Sequence, residues 1–309
     1  MHSAQVQSWT QGPRYVSVDN PPAPSDGQVQ LHVLAAGVHQ VVRSRASGAH
    51  YSARVLPHTL GIDCVGKDES TGKLYYVFTM QGGTFAERIN IDKSSVYPLP
   101  DHVDPASFAA NLNPAMSSWM AITQRTTNLP KDFTAVIIGA TSASGRLAVH
   151  SAKALGAGKV IGIARNSETL ADVDGLDDYI VLQDPVAETD FSKALGVDVI
   201  LDYVYGDAMV HLLASLSRVK QPVQYVQIGG LSQHTPQIPS RLLRSFDLTI
   251  RGAGAGSWSI SALTKELHTM VPTVASWKLT PAWSVQLKDI EETWNDPSLK
   301  AKGRVVYVP

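Results

Sequence analysis

The segment Gly139-Ala140-Thr141-Ser142-Ala143-Ser144-Gly145 joins a run of apolar residues, Thr134–Ile138, to a helical stretch, Ser144–Leu155. A dinucleotide fold places its diphosphate at such a strand-to-helix turn. Small side chains let the backbone approach the phosphates, and the exposed N–H groups of the helix start bind the anion. The usual G-x-G-x-x-G spacing has Ala140 and Ser142 at its first two glycine positions here and keeps Gly145. The order strand, loop, helix, second strand carries the reading, since a turn of small residues that binds nothing has the same composition. About 20 residues on, a carboxylate would bind the ribose 2′-hydroxyl of NAD. That place holds Ala164-Arg165-Asn166-Ser167, with no acid to repel a 2′-phosphate. Arg165 can donate charge-assisted bonds to one, or stand as a solvated surface arginine. The spacing predicts NADPH as cofactor, held by Gly139, Ala140, Ser142, Ala143, Ser144, Gly145, Arg165 and Asn166. Val204 and Gly229, just past two later strands, complete the expected set.

The elements that must position these residues follow from hydrophobic pattern. Thr134–Ile138 and Lys159–Ala164 read as strands buried on both faces. Further strands are predicted at Tyr179–Leu182, Asp198–Asp202, Val223–Ile228 and Leu248–Gly252, with a helix over Asp207–Arg218. Strands alternating with helices imply a parallel, doubly wound sheet. Before residue 120 the rhythm differs. Gln28–Leu34 alternates polar and apolar residues, and Lys73–Phe78 and Phe85–Ile91 read as further short strands around Gly-rich turns. The tail Gly303–Pro309 is a strand expected to return to the N-terminal region.

Composition bounds the rest. The chain has 309 residues, 26 Lys+Arg and 27 Asp+Glu, and lacks the basic field of a nonspecific nucleic-acid binder. It has one cysteine, Cys64, so neither a disulfide framework nor a four-cysteine zinc site can be assembled within it. A reducing compartment, the cytoplasm, is expected. Pro105–Gln124 is charge-free but too polar for a membrane span. The N-terminus lacks the apolar core of a leader, and no membrane partner is expected. No repeat of 20–50 residues is present.

Several blocks together resemble one family. Leu34-Ala35-Ala36-Gly37-Val38, Ser47-Gly48-Ala49-His50-Tyr51, Leu60-Gly61-Ile62-Asp63-Cys64-Val65-Gly66, Gly82–Glu87, Asn113–Trp119 and Val199-Ile200-Leu201-Asp202 occur in its order, nearly end to end. The chain is thereby similar to the medium-chain dehydrogenase/reductase superfamily, in its zinc-free quinone oxidoreductase-like branch. The resemblance implies an α/β protein of two domains: a GroES-like, mostly-β substrate domain, residues 1–120 completed by about 265–309, and a Rossmann nucleotide-binding domain, 121–264. It also implies an active site in the cleft between them, and a homodimer. Zinc-dependent relatives carry a cysteine near position 38 and Gly-His-Glu where Gly61-Ile62-Asp63 stands here, so their ligand set is missing. The stretch Gly66–Tyr75 is shorter than usual, and His39 stands where zinc-free relatives often have asparagine.

Without a metal, a carbonyl oxygen must be polarised by hydrogen bonds or a proton donor. The candidates are Tyr51, His39 and Asn113. Each has a plainer alternative: a packing residue of a lid for Tyr51, a backbone-satisfied loop histidine for His39, a turn residue before Pro114 for Asn113. Asp63 is expected to be structural. Met116 and Trp119 could line an apolar pocket or pack a junction. The expected activity is NADPH-dependent, metal-free reduction of a small molecule with a conjugated carbonyl, a quinone or an enone. An enoyl reductase of a secondary-metabolite pathway and an NADPH-binding sensor with little turnover remain open at this point.

Overall fold

The computed structural model describes residues 1–50, 52–218, 221–232 and 235–309, with the backbone alone at Lys300 and Ala301. The chain begins with β1 (His2–Val6), β2 (Arg14–Ser17), β3 (Gln28–Gly37), α1 (Gln40–Ala46), β4 (His58–Thr59), β5 (Asp63–Lys67), β6 (Leu74–Phe78), β7 (Arg88–Asp92) and β8 (Val96–Leu99). A long helix, α2 (Pro105–Arg125), leads into β9 (Thr134–Ile138), α3 (Ala143–Ala154), β10 (Lys159–Ala164), α4 (Ser167–Ala171), β11 (Asp178–Val181), β12 (Val199–Asp202), α5 (Asp207–Leu216), β13 (Val223–Gln227), α6 (Leu242–Ser245) and β14 (Leu248–Gly252). The chain ends with α7 (Ile260–Ala275), β15 (Trp283–Gln286), α8 (Ile290–Thr293), α9 (Pro297–Ala301) and β16 (Val305–Val308). It divides into two compact units, Met1–Asn113 with Leu267–Pro309, and Pro114–Glu266.

In the first unit, among the described residues, a three-stranded sheet runs β2-β1-β4. A seven-stranded sheet runs β15-β16-β3-β5-β6-β8, with β7 also on β3. β3 is longer than the alternating Gln28–Leu34 pattern because Ala35 and Ala36 are buried and pair onward, against β5 and β16. The tail strand β16 pairs antiparallel with β3, Tyr307 opposite Ala36, so the C-terminal end does return to the N-terminal region. The short Gly66–Tyr75 stretch closes as a hairpin between β5 and β6. Asp68 staples the turn, accepting the Ser70 amide and hydroxyl and the Thr71 hydroxyl, which hold its carboxyl below the usual range.

In the second unit, among the described residues, six parallel strands run β11-β10-β9-β12-β13-β14. The central strands are buried on both faces because their side chains alternate between two cores. Ala135, Ile137, Val199 and Leu201 face one core with α3, and Val136, Ile138, Ile200 and Tyr225 face the other with α5. Gly156, at φ +99°, ends α3 in the left-handed region open to glycine.

The plainer alternative for Asn113 is corrected. Asn113 is not in a turn before Pro114; both lie inside α2. Proline removes one helical hydrogen bond and breaks a helix that has little else to hold it. Here Leu112, Ala115, Met116, Trp119 and Met120 are buried along the same helix, and that burial outweighs the lost bond.

Three histidines are expected to make the fold sensitive to acid. Burial lowers His50, His58 on β4 and His150 on α3 below the ordinary 6.5. Above 6.5 the ring is neutral folded or unfolded, and stability is unaffected. Below it the unfolded chain takes up protons first, so stability falls with pH. The thermal midpoint is expected to drop as pH falls below about 6.5, and less so in His150→Gln. Equal pH dependence in the variant would remove His150 from the explanation.

Candidate nucleotide-binding site and active site

The turn after β9 is built for close approach. Gly139 takes φ +88°, and its amide donates to the Ile163 carbonyl at 2.8 Å. A Cβ at Gly145 would lie 2.2 Å from the Gly139 carbonyl oxygen and 2.8 Å from Ala140 Cα, so only glycine fits. A Cβ at Gly139 would lie 2.9 Å from a Val204 methyl, which brings the β12 loop against the β9 turn. The two replaced glycines have physical reasons. Ala140 is fully buried, and its methyl is accommodated by a glycine on the next strand: a Cβ at Gly162 would stand 3.0 Å from it. Ser142 is the N-cap of α3, its hydroxyl accepting the Gly145 amide at 3.0 Å. Ala143 and Ser144 begin the helix. The backbone cradle and the positive end of a twelve-residue helix fit a diphosphate.

At the end of β10, Arg165, Asn166 and Ser167 are all exposed. Asn166 caps α4, its side-chain oxygen accepting the Thr169 amide at 2.8 Å. The capping task of Asn166 is legible only once α4 is known.

Asp202, fully buried at the end of β12, shapes two loops. Its Oδ1 accepts the Val204 amide at 2.7 Å and the Tyr205 amide at 2.9 Å. Its backbone oxygen accepts the Ile228 and Gly229 amides at 2.8 and 3.1 Å. The Tyr225 hydroxyl donates to Oδ2 at 2.7 Å. Burial raises the Asp202 carboxyl, against these donors, and pushes the Tyr225 phenol far up. Gly229 lies so close to Tyr203 that a Cβ there would stand 2.6 Å from its carbonyl oxygen. Tyr225→Phe strips one donor from a buried carboxylate and is expected to cost about 1 kcal/mol, read as a lower urea midpoint. An unchanged midpoint would show that the bond adds nothing net. Beyond these loops a cavity of about 430 Å³ is lined by Tyr205, Gln227, Gly230, Ile238 and Arg251 at the ends of β13 and β14; sequence reasoning missed it, because nothing in the spacing joins these positions.

In the first unit, His39 precedes α1 and is 3% exposed. Its Nε2 lies 3.0 Å from Asp63 Oδ2, and the Tyr76 hydroxyl donates to the same oxygen at 3.0 Å. Tyr76 is diagonal to Asp63 across the β5–β6 pair, since Asp63 faces Phe78. His39 Nδ1 and Asp63 Oδ1 are buried with no hydrogen-bond partner among the described residues. Asn113 is half-buried in α2, and Tyr51 lies outside the described residues. Among the described residues no group of three His, Cys, Asp or Glu side chains could hold a metal ion, and no helix is long and apolar enough to cross a membrane.

A parallel sheet with a phosphate-type turn, joined to a mostly-β unit completed by the C-terminal strand, is the architecture of a dinucleotide-binding oxidoreductase. No protein-family model matches the chain. A curated relative from Emericella nidulans, the probable NADPH-dependent quinone reductase tdiC, is 35% identical over 356 residues, covering 100% of both chains. The quinone oxidoreductase of Thermus thermophilus, solved alone and with NADPH, is 23% identical with a TM-score of 0.77 over 100% of both chains. A mycobacterial quinone oxidoreductase scores 0.78 at 19% identity over 100% of both, and an NAD-dependent alcohol dehydrogenase also 0.78 at 17% over 100% of both. The chain belongs to the quinone oxidoreductase-like branch of the medium-chain dehydrogenase/reductase superfamily.

Proposed function

We propose that the protein is an NADPH-dependent quinone reductase that works without a metal. The observation that carries the reading is the β9–α3 turn, where Gly145 admits a backbone cradle, and Arg165 stands at the end of β10 with no acid among residues 164–167. The relative that is 35% identical over its whole length bears the same activity in its name. When bound, the nicotinamide supplies hydride. The diphosphate would rest on the backbone of Gly139–Gly145, with Val204 and Gly229 bordering the remaining half and Arg165 pairing the 2′-phosphate. Proton delivery to the reduced quinone falls to Tyr51, His39 or solvent, with Asn113 as a positioning candidate. The His39–Asp63–Tyr76 set supports a role for His39, because Asp63 orients the ring and leaves Nδ1 as its one unpaired atom among the described residues. A homodimer through β14 is part of the reading. It is an outer strand of its sheet, with Ile250 41% exposed, and such edges pair readily. We place the enzyme in the cytoplasm.

The test is loss of NADPH absorbance on adding 1,4-benzoquinone, with a long-chain enoyl thioester in parallel. Quinone-dependent oxidation is expected. Oxidation by the thioester alone would replace the reading with an enoyl reductase, and oxidation by neither would leave a nucleotide-binding module. Tyr51→Phe is expected to lower turnover while nucleotide affinity stays unchanged; unchanged turnover would assign Tyr51 to packing.

A further inference from the structure

We propose that Arg146 is a positioning residue for NADPH selectivity, acting through Arg165; the inference rests on the 2′-phosphate assignment made above. Arg146 immediately follows Gly145 in the first turn of α3. Its guanidinium reaches across to α4: Nη1 donates to the Asp172 carbonyl at 3.0 Å and Nη2 to the Thr169 carbonyl at 3.3 Å. Asp172 is the C-cap of α4. A cation there meets the negative end of the helix and satisfies carbonyls that the helix itself cannot.

At five residues, α4 is too short to persist by its own hydrogen bonds. It is held by Leu170, which is buried, by the Asn166 cap and by Arg146. Thr169 links the last two. Its amide and hydroxyl bond to Asn166, at 2.8 and 3.2 Å, while its carbonyl is taken by Arg146. Asn166 directly follows Arg165. One side chain therefore fixes the turn that carries Arg165 to the same helical turn that forms the diphosphate cradle. The two parts of the nucleotide that these elements would grip, diphosphate and 2′-phosphate, sit at a set separation in the ligand. A clamp between α3 and α4 holds the protein groups at a fixed separation, which is what selectivity by a single exposed arginine requires.

The experiment is fluorescence titration of the whole protein with NADPH and with NADH, in wild type, Arg146→Met, Arg165→Ala and the double variant. Met keeps the aliphatic stem and loses the fork; Arg146→Gln replaces it should that variant fail to fold. Arg146→Met is expected to weaken NADPH about three- to tenfold and NADH by less than about twofold, with no further change in the ratio when Arg165 is already alanine. Equal weakening of both nucleotides would make Arg146 a purely structural clamp and overturn the inference. So would an unchanged ratio, or a loss of ratio that adds in full to that of Arg165→Ala. Wild-type protein that binds both nucleotides equally would overturn the 2′-phosphate assignment along with it. Since no quinone is used, failure of the acceptor assignment is read separately.

Discussion

Gly145→Val is expected to abolish binding of both nicotinamide nucleotides. The atoms that a β-carbon would meet are backbone, the Gly139 carbonyl oxygen at 2.2 Å and Ala140 Cα at 2.8 Å, and neither can rotate away. The turn must open or α3 must shift, and either movement takes the amides at the helix start away from the diphosphate. A fall from micromolar affinity to worse than millimolar corresponds to about 4 kcal/mol or more. Overpacking also costs about 1–3 kcal/mol of stability. The titration is therefore read on protein whose circular dichroism and melting transition show a folded chain. Retained affinity in such protein would mean that the nucleotide does not sit on this turn.

Arg165→Ala is expected to separate the two nucleotides. Loss of a charged hydrogen bond to the 2′-phosphate should weaken NADPH by about 1–3 kcal/mol, roughly five- to 150-fold, and leave NADH almost untouched. Because Arg165 is exposed, the pair is open to screening. The preference for NADPH should shrink as ionic strength rises, and the variant should lose that salt dependence. Calorimetric titration at two salt concentrations measures both effects. Equal weakening of NADPH and NADH would refute the assignment. The two substitutions report on different physics, steric fit at Gly145 and charge at Arg165.

The parallel sheet was legible because its central strands are buried on both faces. A continuous apolar run such as Thr134–Ile138 has little alternative use in a globular chain, and β9, β10 and β14 fall on their expected bounds. The phosphate turn was legible from order more than from glycine spacing. Its departures at Ala140 and Ser142 are explained by Gly162 on the neighbouring strand and by helix capping, neither of which a linear pattern displays. α2 was hidden by Asn113 and Pro114, whose local preferences oppose a helix that tertiary burial enforces. α7 was hidden in the same way, with Pro272 inside it. The His39–Asp63–Tyr76 set could not be seen, because Tyr76 reaches Asp63 only through the β5–β6 register. Asp202 was noticed as the end of a strand; that one carboxylate orders the loops of Val204 and Gly229 depends on the adjacency of β12 and β13.

Calorimetric titration of the unmodified protein with NADPH and NADH asks most directly whether the β9–α3 turn and Arg165 form a nucleotide site. Saturable binding is expected for both, tighter for NADPH. No heat with either nucleotide up to about millimolar concentration, or tighter binding of NADH, would contradict it.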